Sequence, residues 1–239
     1  MGRDYPFGAP GAIITVVKNH EITGAPRQAP KKTPRPASQQ APRGPGICGI
    51  DEAGRGPLAG PVYAAAVVLP TDFPIEMLDD SKALSAVRRE SAFAAIVEGA
   101  LGWAIDWASP SEIDELNILG ATFLAMRRAH EGLLAALAAR GRAAPDETLV
   151  DGNRLPPLGG RARAIVGGDA LIPAIMAASI LAKVARDRMM ERFDWLYPEY
   201  GYAQHKGYPT KSHRDLVLAI GPSPIQRSSF RVRADGGGR

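Results

Sequence analysis

Apolar positions along the chain fall in short runs, separated by Gly, Pro and acidic residues. Ile47 to Asp51 is one such run and ends in a carboxylate. Val62 to Leu69 is nearly all apolar, with Ala64, Ala65 and Ala66 inside it, which predicts a strand covered on both faces. Trp103, Ile105 and Trp107 alternate with Ala104, Asp106 and Ala108, the period-two pattern of a strand. Thr148 to Asp151 predicts a short strand that again ends in a carboxylate. Arg163 to Val166 predicts another, ending at Gly167-Gly168-Asp169.

Helical spacing fills the gaps. Ser85 suits the cap of a helix running to about Glu98. Ser109-Pro110-Ser111-Glu112 is a capping box with Pro at the first helical position. Leu119, Phe123, Met126, His130, Leu133 and Leu137 then form one stripe, which predicts a long helix ending near Arg140 and Gly141. His130 lies within that stripe and reads as a packed histidine. Pro173 begins a helix reaching about Phe193, with Ala177, Ala178 and Ser179 as a small face for close packing. A short helix is expected near Ser212 to Ala219. Strands interleaved with helices predict an α/β chain with a central sheet and helices on its faces.

Charge changes the picture at the ends. Of the formal +4, residues 1–46 carry seven Lys/Arg against two Asp/Glu, leaving 22 basic and 23 acidic side chains elsewhere. From Ala25 to Gly46 there are six prolines, five basic residues and no acid, a composition that predicts a disordered arm at 1–46. Arg27, Lys31, Lys32, Arg35 and Arg43 suit a non-specific nucleic-acid tether, and a solubilising extension fits the same composition. Residues 47–226 are then the folded domain, and the Arg/Gly-rich 227–239 is expected to fray. Cys48 is the single cysteine, which excludes disulfide frameworks and cysteine zinc sites. No apolar run approaches the roughly 20 residues of a membrane span. No signal-peptide pattern is seen, so a cytoplasmic monomer without membrane contact is the expectation.

Asp51, Glu52, Asp151 and Asp169 each sit at the end of a predicted strand, beside or near Gly. One reading makes them turn acids, since Asp before Gly is common in turns. In the other, three strands bring them to one edge of a sheet. Clustered carboxylates repel and raise one another's pKa unless a cation intervenes. Hard oxygen donors without a Cys or His cluster select Mg²⁺ or Mn²⁺. Two such ions suit the in-line hydrolysis of a phosphodiester.

Gly49-Ile50-Asp51-Glu52-Ala53-Gly54-Arg55-Gly56-Pro57 resembles a signature of type 2 ribonuclease H. So do Leu78-Asp79-Asp80-Ser81-Lys82, Val150-Asp151-Gly152-Asn153 and Ala177 to Val184. Tyr200-Gly201-Tyr202 and His205 to Thr210 complete the series, in the family's order, over roughly residues 47–226. The resemblance implies a ribonuclease H-like fold, a mixed sheet flanked by helices with a small helical C-terminal extension. It implies a metal-dependent endonuclease, without a small-molecule cofactor, acting on RNA–DNA hybrids and on DNA containing ribonucleotides. It implies that Asp51, Glu52, Asp151 and Asp169 hold two Mg²⁺ or Mn²⁺ ions. Gly54, Arg55 and Gly56 match the loop that senses a 2′-hydroxyl, and Tyr208 matches a tyrosine that stacks on the following deoxysugar. Lys82, Lys183, Lys206 and Arg214 are candidate phosphate contacts, with His205 and His213 as possible phosphate or proton-transfer groups. Two positions depart from the pattern: Ala170 stands where the family usually has Ser, and Ala83 where a second Lys is common. Asp187 is the competing acid for the position of Asp169, and pairing with a nearby Arg is its other expected role.

Overall fold

The computed structural model describes residues 46–78 and 85–232. The arm at 1–45, Lys82 and Ala83, and residues beyond 232 lie outside them. The strand β1 (Ile47–Ala53) is the hub of a five-stranded sheet of order β3-β2-β1-β4-β5. β2 (Val62–Val68) and β3 (Gly102–Ala108) run antiparallel on one side of it. β4 (Glu147–Asp151) and β5 (Ala162–Ile165) run parallel on the other. Every residue of β2 is buried, as its unbroken apolar run predicts.

Helices cover both faces. α2 (Pro110–Ala139) packs Ile113, Ala121, Met126 and Leu133 against Cys48, Ile50, Ala64 and Val150. α1 (Ala86–Gly99) and α3 (Pro173–Leu196) cover Tyr63, Ala65, Val67 and Ile105 on the opposite face. Gly49 makes that second layer possible. A Cβ there would stand 2.1 Å from the Ala174 carbonyl carbon and 2.3 Å from the Ile175 amide, so the first turn of α3 lies directly on β1.

The caps match the sequence signals. Ser85 accepts from the Arg88 amide, and Ser109 and Glu112 form the reciprocal box at α2. His130 is buried in the α2 stripe, with Nε2 3.2 Å from Thr148 Oγ1. One break was not legible: Asn117 has φ 58°, which interrupts α2. Its Oδ1 accepts from the Leu119 and Gly120 amides and so caps the longer segment.

α4 (Tyr202–His205) and α5 (Lys211–Ile220) build the extension on a core of Met190, Phe193, Tyr200, Tyr202, Val217 and Ile225. The expected fraying from 227 does not occur at that position. Arg227 is fully buried, and both Ser228 and Ser229 bond the Asp114 carboxylate through backbone amide and hydroxyl. An Arg with enough buried acceptors anchors a chain that composition alone marks as a tail.

Candidate active site

The acids converge because of strand register. Ile50 pairs with Val150 across the parallel β1–β4 ladder, so Asp51 and Asp151 follow it side by side. Both share the parity of Gly49 and Leu149, and Leu149 packs with Ile175 of α3. Asp169 sits in the single 3₁₀ turn Gly168–Ala170 beyond β5, and its amide donates to Asp151 Oδ1 at 3.3 Å. Glu52 is the next residue of β1, half-buried, with Arg55 Nη1 3.3 Å from its carboxylate.

Asp51 is 5% exposed. Burial pushes its carboxyl well above the ordinary range, and the charges of Glu52 and Asp151 push it further. The Ser179 hydroxyl and the Glu52 amide oppose that rise by bonding the carboxylate. Burial likewise raises Glu52, and Arg55 opposes it. The donors are hard oxygens, with Asp51 in a buried setting where its charge is disfavoured by burial and by Glu52 and Asp151, which fits a divalent ion. Among the described residues no three acidic, Cys or His side chains stand close enough to close a cage unaided. The set fits Mg²⁺ or Mn²⁺ as an open cradle.

Beyond Asp51 and Glu52 the chain turns through Gly54-Arg55-Gly56. Gly54 has φ +99°, and a Cβ there would lie 2.0 Å from Nε of Arg186. The motif match places this glycine in the 2′-hydroxyl-sensing loop; a buried guanidinium occupies the space beside it. Gly56 is exposed and its open side faces Tyr208, whose Cε1 would be 3.7 Å from an added Cβ. Tyr208 is 40% exposed. Its ring has Lys183 Nζ and Arg186 Cζ each 5.8 Å from the centroid. The 2′-hydroxyl loop and the tyrosine predicted from separate motifs thus stand against one another.

The backbone carrying Tyr208 is fixed by two stacked imidazoles, 4.3 Å between centroids. His213 Nδ1 donates to the Tyr208 carbonyl at 2.9 Å. His205 Nδ1 accepts from the Gly207 amide at 3.1 Å, and its Nε2 donates to the Tyr200 carbonyl at 2.8 Å. Both nitrogens of His205 are engaged in scaffolding, and His213 is fully buried. The phosphate or proton-transfer role raised for them gives way to a structural one.

The remaining candidates separate. Lys183 bonds Asp187 at 2.8 Å, and Asp187 also faces Arg89 at 3.9 Å. Asp187 is therefore engaged by cations, as the pairing alternative expected, with Lys183 the nearer partner. Lys206 pairs with Glu191 at 2.7 Å, and Arg214 donates to the Pro209 carbonyl.

The family model of ribonuclease HII matches residues 48–233. The chain belongs to the ribonuclease HII family. The ribonuclease HII of Treponema denticola is 52% identical over 195 residues, covering 78% of this chain and 98% of the relative. That of Polynucleobacter necessarius is 58% identical over 184 residues, covering 77% and 91%. Among solved structures, the ribonuclease H2 of Pyrococcus horikoshii superposes with a TM-score of 0.60 at 27% identity, covering 78% and 94%. The sheet and its flanking helices are the ribonuclease H-like fold. This ribonuclease HII is accordingly a hydrolase, an endoribonuclease of the ribonuclease H kind acting on RNA–DNA hybrids. Among the described residues no helix is long and apolar enough to cross a membrane.

Sequence reasoning missed three residues of this ribonuclease HII site. Ser179 read only as a small packing residue, yet it bonds Asp51. Arg186 drew no role of its own and Arg227 opened the expected tail, yet both are fully buried beneath the Gly54–Pro61 loop. The signal that could have found Ser179 is its place on the small face of a helix facing β1.

Proposed function

We propose that this ribonuclease HII, besides hydrolysing the RNA strand of hybrids, cuts duplex DNA on the 5′ side of a single embedded ribonucleotide and so serves ribonucleotide removal from DNA. The observation that carries the reading is the Tyr208 ring facing the open side of Gly56, just beyond the Asp51–Glu52 strand end. A 2′-hydroxyl both donates and accepts, and it is the one group that marks a ribose in a DNA strand. The Gly54-Arg55-Gly56 loop would bond it through its backbone. Tyr208, packed flat on the next sugar, leaves no room for a second 2′-oxygen and so favours an RNA–DNA junction.

Asp51, Glu52, Asp151 and Asp169 would hold Mg²⁺ or Mn²⁺, two ions in the productive state. Such ions supply an activated water and positive charge for the leaving oxygen. Asp151 orients the Asp169 turn through its amide, and Ser179 orients Asp51. Arg55, half-exposed beside Glu52, is positioned to accept a phosphate. Lys183 near Tyr208 is positioned for the adjacent one, and Lys82 remains a phosphate candidate from its motif. Water adds to phosphorus, the P–O3′ bond breaks, and the products carry a 3′-hydroxyl and a 5′-phosphate.

The test is a DNA duplex with one ribonucleotide, incubated with Mg²⁺ or Mn²⁺ and resolved at single-nucleotide length. The expected product ends immediately 5′ of the ribonucleotide. Cutting of continuous hybrids with no cutting of this duplex would reject the proposal.

A further inference from the structure

Two fully buried arginines lie beneath the sugar-reading loop, from elements far apart in sequence. Arg227 donates through Nε to the Gly60 carbonyl at 2.8 Å and through Nη1 to those of Arg55 at 3.0 Å and Pro57 at 2.7 Å. Its Nη2 donates to the Gly54 carbonyl at 2.6 Å, and its backbone amide to that of Leu58 at 2.9 Å. Arg186, on α3, donates to the carbonyls of Pro61 at 3.1 Å and Ala59 at 3.3 Å. From Gly54 to Pro61, every carbonyl except that of Gly56 therefore accepts from one of the two residues. Among the described residues, the Gly56 carbonyl and the amides of Arg55 and Gly56 have no protein partner.

Arg186 also reaches the second half of the reader. Its Nη2 donates to the Lys206 carbonyl at 3.0 Å, and the Tyr208 ring lies over its guanidinium. Its Nη1 is buried without a hydrogen-bond partner. No carboxylate bonds either guanidinium among the described residues; carbonyls supply every hydrogen bond the two make, and Asp114 and Asp187 add only charge from farther off. Burial and the nearness of Arg186 depress Arg227 to about 9. Apolar residues of similar volume commonly replace buried charges with no loss of stability. Packing alone therefore does not require two like charges side by side; holding a specific set of carbonyls does.

We propose that Arg186 and Arg227 are positioning residues for sugar discrimination. They draw the loop carbonyls inward, leave the Arg55–Gly56 peptide and the Gly56 carbonyl for the 2′-hydroxyl, and set the distance from that loop to Tyr208. This rests on the reading of Gly54-Arg55-Gly56 and Tyr208 as the junction reader. Lysine keeps the charge but cannot reproduce a fork that spans several carbonyls.

The experiment compares kcat/KM on a duplex with one embedded ribonucleotide against a continuous RNA–DNA hybrid, for the wild-type enzyme, R186K and R227K. Circular dichroism and a thermal melt accompany each variant. The expected result is a fall of about tenfold or more in the ratio for both variants, at an unchanged Mg²⁺ dependence on the hybrid. Equal losses on both substrates, or an unchanged ratio, would overturn the proposal. G54A tests it from the other side, because the new Cβ would displace the Arg186 guanidinium; the same ratio should fall. Should R186K not fold, R227K and G54A decide the outcome by the same criterion. A wild-type enzyme that never cuts the embedded ribonucleotide rejects the junction reading itself, before any variant is made, and the clamp with it.

Discussion

The two halves of the site are built on opposite electrostatic plans. At the ends of β1 and β4, carboxylates stand side by side, Asp51 buried and Asp151 half-buried, and burial with their mutual repulsion disfavours the charge on Asp51. Under the Gly54–Pro61 loop, two guanidinia are buried, and backbone carbonyls accept from five of their six nitrogens. In the proposed reading the first half waits for a divalent ion to complete it. The second is completed by the protein, so its geometry is set before a substrate arrives. Chemistry and specificity are thereby assigned to regions that differ in what they lack.

The strongest way to break this contrast is at the acids. Asp51→Asn should lower turnover at least about 10²-fold, because it removes the most buried donor of the cradle. Its melting temperature without divalent ions should not fall, since the wild-type carboxylate is disfavoured by burial and by its neighbours. A parallel loss of activity and fold would mean that Asp51 is a structural acid. Asp169→Asn should lower turnover about tenfold or more on both substrates. Asp187→Asn should instead raise KM, through release of Lys183, with the metal dependence intact. Near-normal turnover in the first and lost metal dependence in the second would transfer the ligand role to Asp187.

On the specificity side the effects are smaller and selective. Tyr208→Ala should reduce preference for an embedded ribonucleotide about tenfold, the range of a lost stacking contact. Its half-saturating Mn²⁺ concentration should stay put; a shift there without a change of preference would remove the stacking role. The smallest expected effect is a pH dependence. Burial, with His205 as a lesser cause, holds the His213 imidazole below its ordinary value. The unfolded chain therefore binds more protons than the folded one, between that lowered value and about 6.5. Stability should fall as pH drops through this window, by a few degrees in melting temperature at most, and level off below it. His213→Gln should flatten that slope; an unchanged slope would assign it to other groups.

Much of the sheet was legible because burial on two faces leaves an unbroken apolar run, as at Val62 to Val68. The helix starts at Ser85 and Ser109 were legible because capping is local chemistry. The acids could be named as a set because each ends a strand, although their register could not be read. The break at Asn117 depends on a left-handed backbone that no neighbour announces. Arg186 and Arg227 were illegible for a deeper reason. A charged residue reads as solvent-facing unless its acceptors are known, and theirs are carbonyls up to 173 residues away. Tyr208 was legible only through its flanking motif, since composition does not separate a substrate-stacking aromatic from an ordinary core or surface one.

That separation bears on the order in which the enzyme becomes itself during synthesis. The strands that carry Asp51 and Asp151, and the turn that carries Asp169, are all made before α3 is finished. Arg227, which holds the Gly54 carbonyl, is made 58 residues after Asp169, by which point nearly all of the described domain has been translated. A nascent chain thus acquires its acids well before the proposed sugar-reading loop is pinned. A ribosome that stops a few residues short of Arg227 would release a protein with every proposed metal ligand and an unanchored reader.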